Sequence, residues 1–243
     1  HLHMERYQRW GIFHHYGWGT YPGHEVDHVR IIGTDVPAGP IPPSDMNPGL
    51  ARTSTRGLVF ANFDCAICVA GASYWEVAGV EIYNCGICGD GAGTSNHCTY
   101  QEASYGSAIF LERGVHDGND PGGTQHTNFW HIHDNLIYSW EEAGAQINGD
   151  FNLIENNQIF YGEVYGDNGA AGLPVNLLGH DNIVQHNIIH SIGQTFGGHD
   201  PAEDYAWGVL MEVDMADYNL VRNNVILNTQ EGVTVWGGDN NLI

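Results

Sequence analysis

The chain has 243 residues and a formal charge of −22, from 29 acidic residues against seven arginines and no lysine. Such a surface repels nucleic acid and anionic membrane, and it disfavours a polyanionic substrate unless cations bridge the two. No apolar run approaches the roughly 18 residues of a membrane span, the 33 glycines favour turns over long helices, and any secretory leader has been removed or lies outside this sequence.

Residues 1–56 read as an irregular N-terminal coil. Within it "EVDHVRIIG" (25–33) looks like an early strand and "PAGPIPPSDMNPG" (37–49) is a proline-rich loop. From 57 to 243 the pattern is regular, and the whole of 1–243 reads as one domain. "FDCAICVAG" (63–71) and "YNCGICGDG" (83–91) match at an offset of 20 residues, which sets Cys65 beside Cys85 and Cys68 beside Cys88. The paired C-x2-C spacing resembles a zinc site. Strands about 4.8 Å apart also stack like residues without metal, at a distance open to disulfides. A thiol ladder, disulfides and zinc ligation therefore all remain open, and Cys98 is left over.

Further along, one frame recurs. "NLIENNQIF" (152–160), "NIVQHNIIH" (182–190) and "NLVRNNVIL" (219–227) share Asn-apolar-apolar-x-x-Asn-x-Ile-x, and "NFWHIHDNLIY" (128–138) fits with two residues inserted. The second asparagines, Asn135, Asn157, Asn187 and Asn224, are 22, 30 and 37 residues apart. A repeat near 22 with inserted loops is the signature of a β-solenoid. A short apolar strand and a polar turn precede each frame, as in "AQINGDFN" (145–152) and "VNLLGHDN" (175–182). Each coil thus reads as strand, tight turn, strand, asparagine corner, strand, loop. Asparagine tolerates the left-handed backbone a corner needs, and its amide can bond the corners above and below to build a ladder. The last frame is interrupted at "NNLI" (240–243), which leaves a fragment or a covered last coil as readings.

Over about residues 26–243 these repeats resemble right-handed parallel β-helix proteins of the pectate-lyase-like superfamily. The resemblance implies an all-β fold of about seven or eight coils, with loop insertions on one edge and no large helical domain. It leaves function open, because that architecture serves lyases, hydrolases, epimerases, adhesins and fibres. Lyases of this fold often use lysine or arginine as the base. With no lysine present, a lysine-based lyase is excluded, and the aspartate motifs of polygalacturonases are not recognisable here.

Insertions between the third strand of one coil and the first of the next (85–106, 139–144, 161–172, 190–208) can wall a groove beside the first-strand sheet. They carry Glu102, Glu141, Glu142, Glu163, Asp167, His199, Asp200, Glu203 and Asp204. Paired carboxylates can serve as acid and base or nucleophile in glycoside cleavage, or they can hold calcium. His199, Asp200, Glu203, Asp204, Glu163 and Arg113 are the candidate catalytic residues. Arg113 lies in "ERGVHDGNDPGG" (112–123), where it can meet a substrate carboxylate and His116 can move a proton. Trp140, Trp207 and Trp236 are candidate sugar platforms. A column two positions before each frame holds His126, Asp150, His180, Asp217 and Asp239. These are turn formers or cation ligands, and Asp117, Asp120, Asp150 and Asp217 are the candidate calcium ligands. His131 and His133 alternate on one strand and face the same way. The expectation is a secreted, carbohydrate-active enzyme, a glycoside hydrolase or non-lysine lyase with a polysaccharide partner. The rival is a non-catalytic structural or adhesive solenoid that self-associates through its ends.

Overall fold

The computed structural model describes residues 2–15, 27–33, 58–85, 107–112, 127–140, 143–162, 172–190, 192 and 207–243, with the backbone alone at 2–10, 13–15, 61–64, 84 and 112. No helix occurs among them. The strands are β1 (Leu2–His15), β2 (Arg30–Ile32), β3 (Leu58–Ala70), β4 (Glu76–Ala78), β5 (Glu81–Cys85), β6 (Ile109–Glu112), β7 (His131–His133), β8 (Leu136–Trp140) and β9 (Ala143–Ile147). They continue with β10 (Leu153–Glu155), β11 (Gln158–Phe160), β12 (Leu173–Leu177), β13 (Ile183–Gln185), β14 (Ile188–His190), β15 (Trp207–Met211), β16 (Leu220–Arg222), β17 (Val225–Leu227) and β18 (Glu231–Val235).

All pairings are parallel, and each strand pairs with its counterpart in the neighbouring repeat. One sheet runs β16-β13-β10-β7-β4-β2. The other runs β17-β14-β11-β8-β5-β3-β6-β9-β12-β15-β18, with β1 against β3. The long β3 joins a third-strand half (β5 to β17) to a first-strand half (β6 to β18). Three parallel stacks therefore surround one core, a layout compatible with a β-solenoid.

Register explains the core. Ile132, Ile154, Val184 and Val221 lie level in the six-stranded sheet, and Ile137, Ile159, Ile189 and Ile226 lie level in the third-strand half. Ala145, Val175, Val209 and Val233 form the first-strand column. Branched side chains suit a pleated surface, and burying each isoleucine fully contributes about 1.5–3 kcal/mol.

The corners follow a five-residue rhythm. Positive φ occurs at Phe129, Asp134 and Ser139, then at Phe151, Asn156 and Tyr161, and at Tyr218, Asn223 and Asn228. Gly79 takes the Asp134–Asn156 place one repeat earlier, with φ 65°. The residue after each of the first two corners is a ladder rung. Asn157 donates both its backbone N–H and Nδ2 to Asn187 Oδ1 at 3.0 Å, and its own Oδ1 accepts from Asn135. Asn187 repeats this onto Asn224. A second ladder, from Trp130 N–H through Asn152, Asn182, Asn219 and Asn241, runs along the other corner. The first asparagine of each frame thus has a structural role as specific as that of the second.

β1 is a 14-residue strand paired along β3. The cysteine register is corrected. Val59 pairs with Glu81 and Phe60 with Ile82, an offset of 22 instead of 20, so Cys85 does not lie level with Cys65. Cys65 and Cys68 form a disulfide with each other, Cα atoms 6.0 Å apart. Cys85 pairs across to Trp140, and its thiol donates to the Tyr83 carbonyl at 4.0 Å. Cys88 and Cys98 lie outside the described residues.

Candidate functional site

Between the inward residues of the first-strand half, the intervening positions face out. One outward column is Cys68, Phe110, Gln146, Asn176, Leu210 and Thr234. A second places Trp207 level with Glu231. Ala143, Leu173, Trp207 and Leu210 form an apolar cluster separate from the main core, and Cys65, Cys68 and Phe110 form another. Polar groups punctuate this surface. Asn176 Nδ2 donates to Glu212 Oε2 at 2.7 Å, and Trp207 Nε1 donates to Glu231 Oε2 at 2.9 Å. The Thr234 hydroxyl donates to the same Glu231 oxygen. Trp236 meets Trp207 edge-on with ring centroids 4.9 Å apart, and it is 59% exposed while Trp207 is 2% exposed. The strip therefore passes from a covered amide pair to an open aromatic and carboxylate end. Amides, carboxylates and an indole face in one strip are the groups that bind sugars.

The outer face of the six-stranded sheet carries the second constellation. His131 Nε2 lies 2.9 Å from Glu155 Oε1, and His133 Nε2 lies 3.2 Å from Glu76 Oε1. His133 Nδ1 lies 2.7 Å from Asp134, and the two imidazoles stack with centroids 3.9 Å apart. Arg30 closes one end on Glu76, while Gln185 and Arg222 continue the chain from Glu155. The Arg30 hydrogen bond holds the Glu76 carboxyl below its usual range against an opposing effect of burial, and His133 adds to the lowering. Glu155 is lowered chiefly by the Gln185 hydrogen bond, again against burial, and then by His131. Among the described residues no group of three or more His, Cys, Asp or Glu is arranged to hold a metal ion.

The aspartate column is a set of cross-repeat turn caps. Asp150 Oδ1 accepts from His180 N–H at 3.0 Å, Asp150 Oδ2 lies 3.2 Å from His180 Nε2, and Asp217 Oδ1 accepts from Asp239 N–H. His180 stands between Asp150 and Asp217, so these two carboxylates do not meet each other.

Of the other candidates, Trp207 and Trp236 share the strip, whereas Trp140 is fully buried in the core. Trp140 is pressed so close to Gly162 that a Cβ there would lie 2.3 Å from its ring. His199, Asp200, Glu203, Asp204, Glu163, Arg113, Asp117 and Asp120 lie outside the described residues, as do Glu102, Glu141, Glu142, Asp167, His116 and His126. Sequence reading missed Gln146, Asn176, Glu212 and Glu231. Strand alternation was the signal that would have placed the two amides outward, each between two core residues. Comparison with protein-family models, with curated proteins and with solved structures finds no match.

Proposed function

We propose that the chain is a secreted, carbohydrate-active, right-handed parallel β-helix of the pectate-lyase-like kind, with about seven or eight coils. The carrying observation is the strip on the outer first-strand face, where Gln146, Asn176 and Glu212 lead to Glu231, Trp207 and the exposed Trp236. An extended polymer fits a surface that repeats at strand spacing along a solenoid. The Cys65–Cys68 disulfide accords with an oxidising compartment outside the cell. Cleavage, by hydrolysis or by a non-lysine elimination, would be carried by the loop groups His199, Asp200, Glu203, Asp204 and Glu163, with Arg113. Calcium is the proposed counter-ion, held by Asp117, Asp120 and neighbouring loop carboxylates.

The test is turnover on a polysaccharide panel, with and without chelator. Alanine at Asp200, Glu203 and Asp204 should abolish turnover, and full activity in all three variants would remove them from the mechanism. The two asparagine ladders and the stacked rings serve a non-catalytic, adhesive solenoid equally well. Binding to a polysaccharide without any cleavage across the panel would favour that second reading.

A further inference from the structure

Two histidines meet a carboxylate at each ring nitrogen, and they do so through the same local arrangement. His133 Nδ1 lies 2.7 Å from Asp134 Oδ2, and its Nε2 lies 3.2 Å from Glu76 Oε1. His180 Nδ1 lies 2.8 Å from Asp181 Oδ2, and its Nε2 lies 3.2 Å from Asp150 Oδ2. In both, the aspartate directly follows the histidine and takes left-handed backbone, φ 55° at Asp134 and 54° at Asp181, with its carboxylate turned back onto the ring. In both, the second carboxylate comes from the preceding coil, Glu76 on β4 and Asp150 just before β10. His131, on the same strand as His133, meets one carboxylate instead, that of Glu155. A neutral imidazole has one N–H and one lone pair, so it satisfies one carboxylate and turns its lone pair on the other. Only the imidazolium ring donates from both nitrogens. A proton on the carboxyl instead is disfavoured at Glu76, which Arg30 first and His133 after it, against burial, hold below the usual carboxylate range. The other groups facing His133 are the stacked His131, Glu155 on β10 and, through Glu76, Arg30 on β2. Those facing His180 are the Phe151 ring and, from the following coil, Asp217, whose carbonyl accepts from Asp181 N–H.

We infer that His133 and His180 are acid-closed clasps between successive coils, an inference independent of the carbohydrate reading. Each ring, carrying both protons, ties its own aspartate to a carboxylate of the preceding coil, and loss of one proton releases that junction. A proton held more tightly by the folded than by the unfolded chain stabilises the fold in acid, and that contribution is lost as pH rises through the histidine range. The full chain and its H133Q and H180Q variants are unfolded in urea at about pH 8 and about pH 5.5, on either side of the ordinary histidine value. Glutamine keeps a donor and an acceptor but takes up no proton. The ratio of wild-type to variant folding constants should be about threefold or more larger at the lower pH for each variant. A ratio unchanged or smaller in acid overturns the clasp at that histidine. Imidazole nitrogen resonances of the isotope-labelled chain read the rings directly, and they decide the matter where a glutamine variant does not fold. Both rings should keep hydrogen on both nitrogens to a higher pH than the histidines of the urea-unfolded chain. D134N and D181N retain a residue that tolerates the left-handed corner, and each should move its own ring back toward unfolded behaviour. Rings that shed a proton at the same pH as in the unfolded chain, or that these substitutions leave unmoved, overturn the inference.

Discussion

Asn187 leaves almost no polar capacity unused. Its N–H and Nδ2 reach Asn224 Oδ1, its Nδ2 also reaches the carbonyls of Ile154 and Gln185, and its Oδ1 receives Asn157. Asn187→Ala strands buried donors and acceptors on both neighbouring rungs, so it should cost about 3 kcal/mol in a urea titration. Asn223, one place before a rung, holds φ 54° and is exposed. Asn223→Ala should cost only about 1 kcal/mol, the strain of a left-handed alanine. Equal losses would show that the rung is not the stabilising element. Paired asparagines were legible in the sequence as corners, but the division of labour within each pair was not, because either residue tolerates left-handed backbone. Phe129, Phe151 and Tyr218 were less legible still. Bulky aromatic residues rarely take positive φ, yet these three hold φ of 53–60°. Part of the compensation is visible in ring stacking along the corner, from Tyr74 to Phe129 at 4.9 Å and on to Phe151 at 5.3 Å.

At the level of the strand, alternation foretold most of what is seen and failed where a neighbour overrides it. β1 pairs with β3 through a register shift between Glu5 and Gln8, an irregularity that breaks the two-residue pattern on which a sequence reading depends. The third-strand half also carries an outward aromatic stack, Tyr83, Tyr138, Phe160 and His190, with centroids 5.0–5.1 Å apart. It is invisible to a reading that expects apolar residues to point inward. His190 ends that stack on β14, where burial pushes its imidazole below the ordinary histidine range. The fold therefore favours the neutral ring. Its contribution is fully present above the ordinary pKa near 6.5 and is lost as pH falls below that value toward the lowered folded pKa. His190→Phe keeps a flat ring on Phe160 and removes the titration. Relative to this variant, the wild type should lose stability between about pH 7 and pH 5, read as the difference between urea midpoints at each pH. A constant difference across that window would mean that His190 does not contribute to the pH dependence.

For the whole molecule, charge is the dominant unbalanced quantity. At −22 the chain repels itself, and the two arginines whose side chains are described are spent locally, Arg30 on Glu76 and Arg222 on Gln185. Glu76 and Glu155 are held below the usual carboxylate range, so both stay ionised further into acid than an isolated glutamate. Their favourable contacts persist above the ordinary range near 4.3 and are lost as pH falls through the lowered folded values. Repulsion of this kind is relieved in two physically distinct ways. Screening acts through ionic strength alone, with a Debye length of about 10 Å at 0.1 M. Site binding of calcium between carboxylate-bearing loops acts by mass action instead. Calcium at about tenfold its Kd adds about 1.4 kcal/mol, or roughly 3–5 °C for a chain of this size. Sodium chloride should therefore raise the melting temperature gradually. Millimolar calcium at matched ionic strength should raise it by several degrees more, and chelator should remove that increment. Calcium and sodium curves that coincide at equal ionic strength, with no effect of chelator, would take calcium out of the proposal. The acidity would then act only as a diffuse charge that keeps the chain soluble.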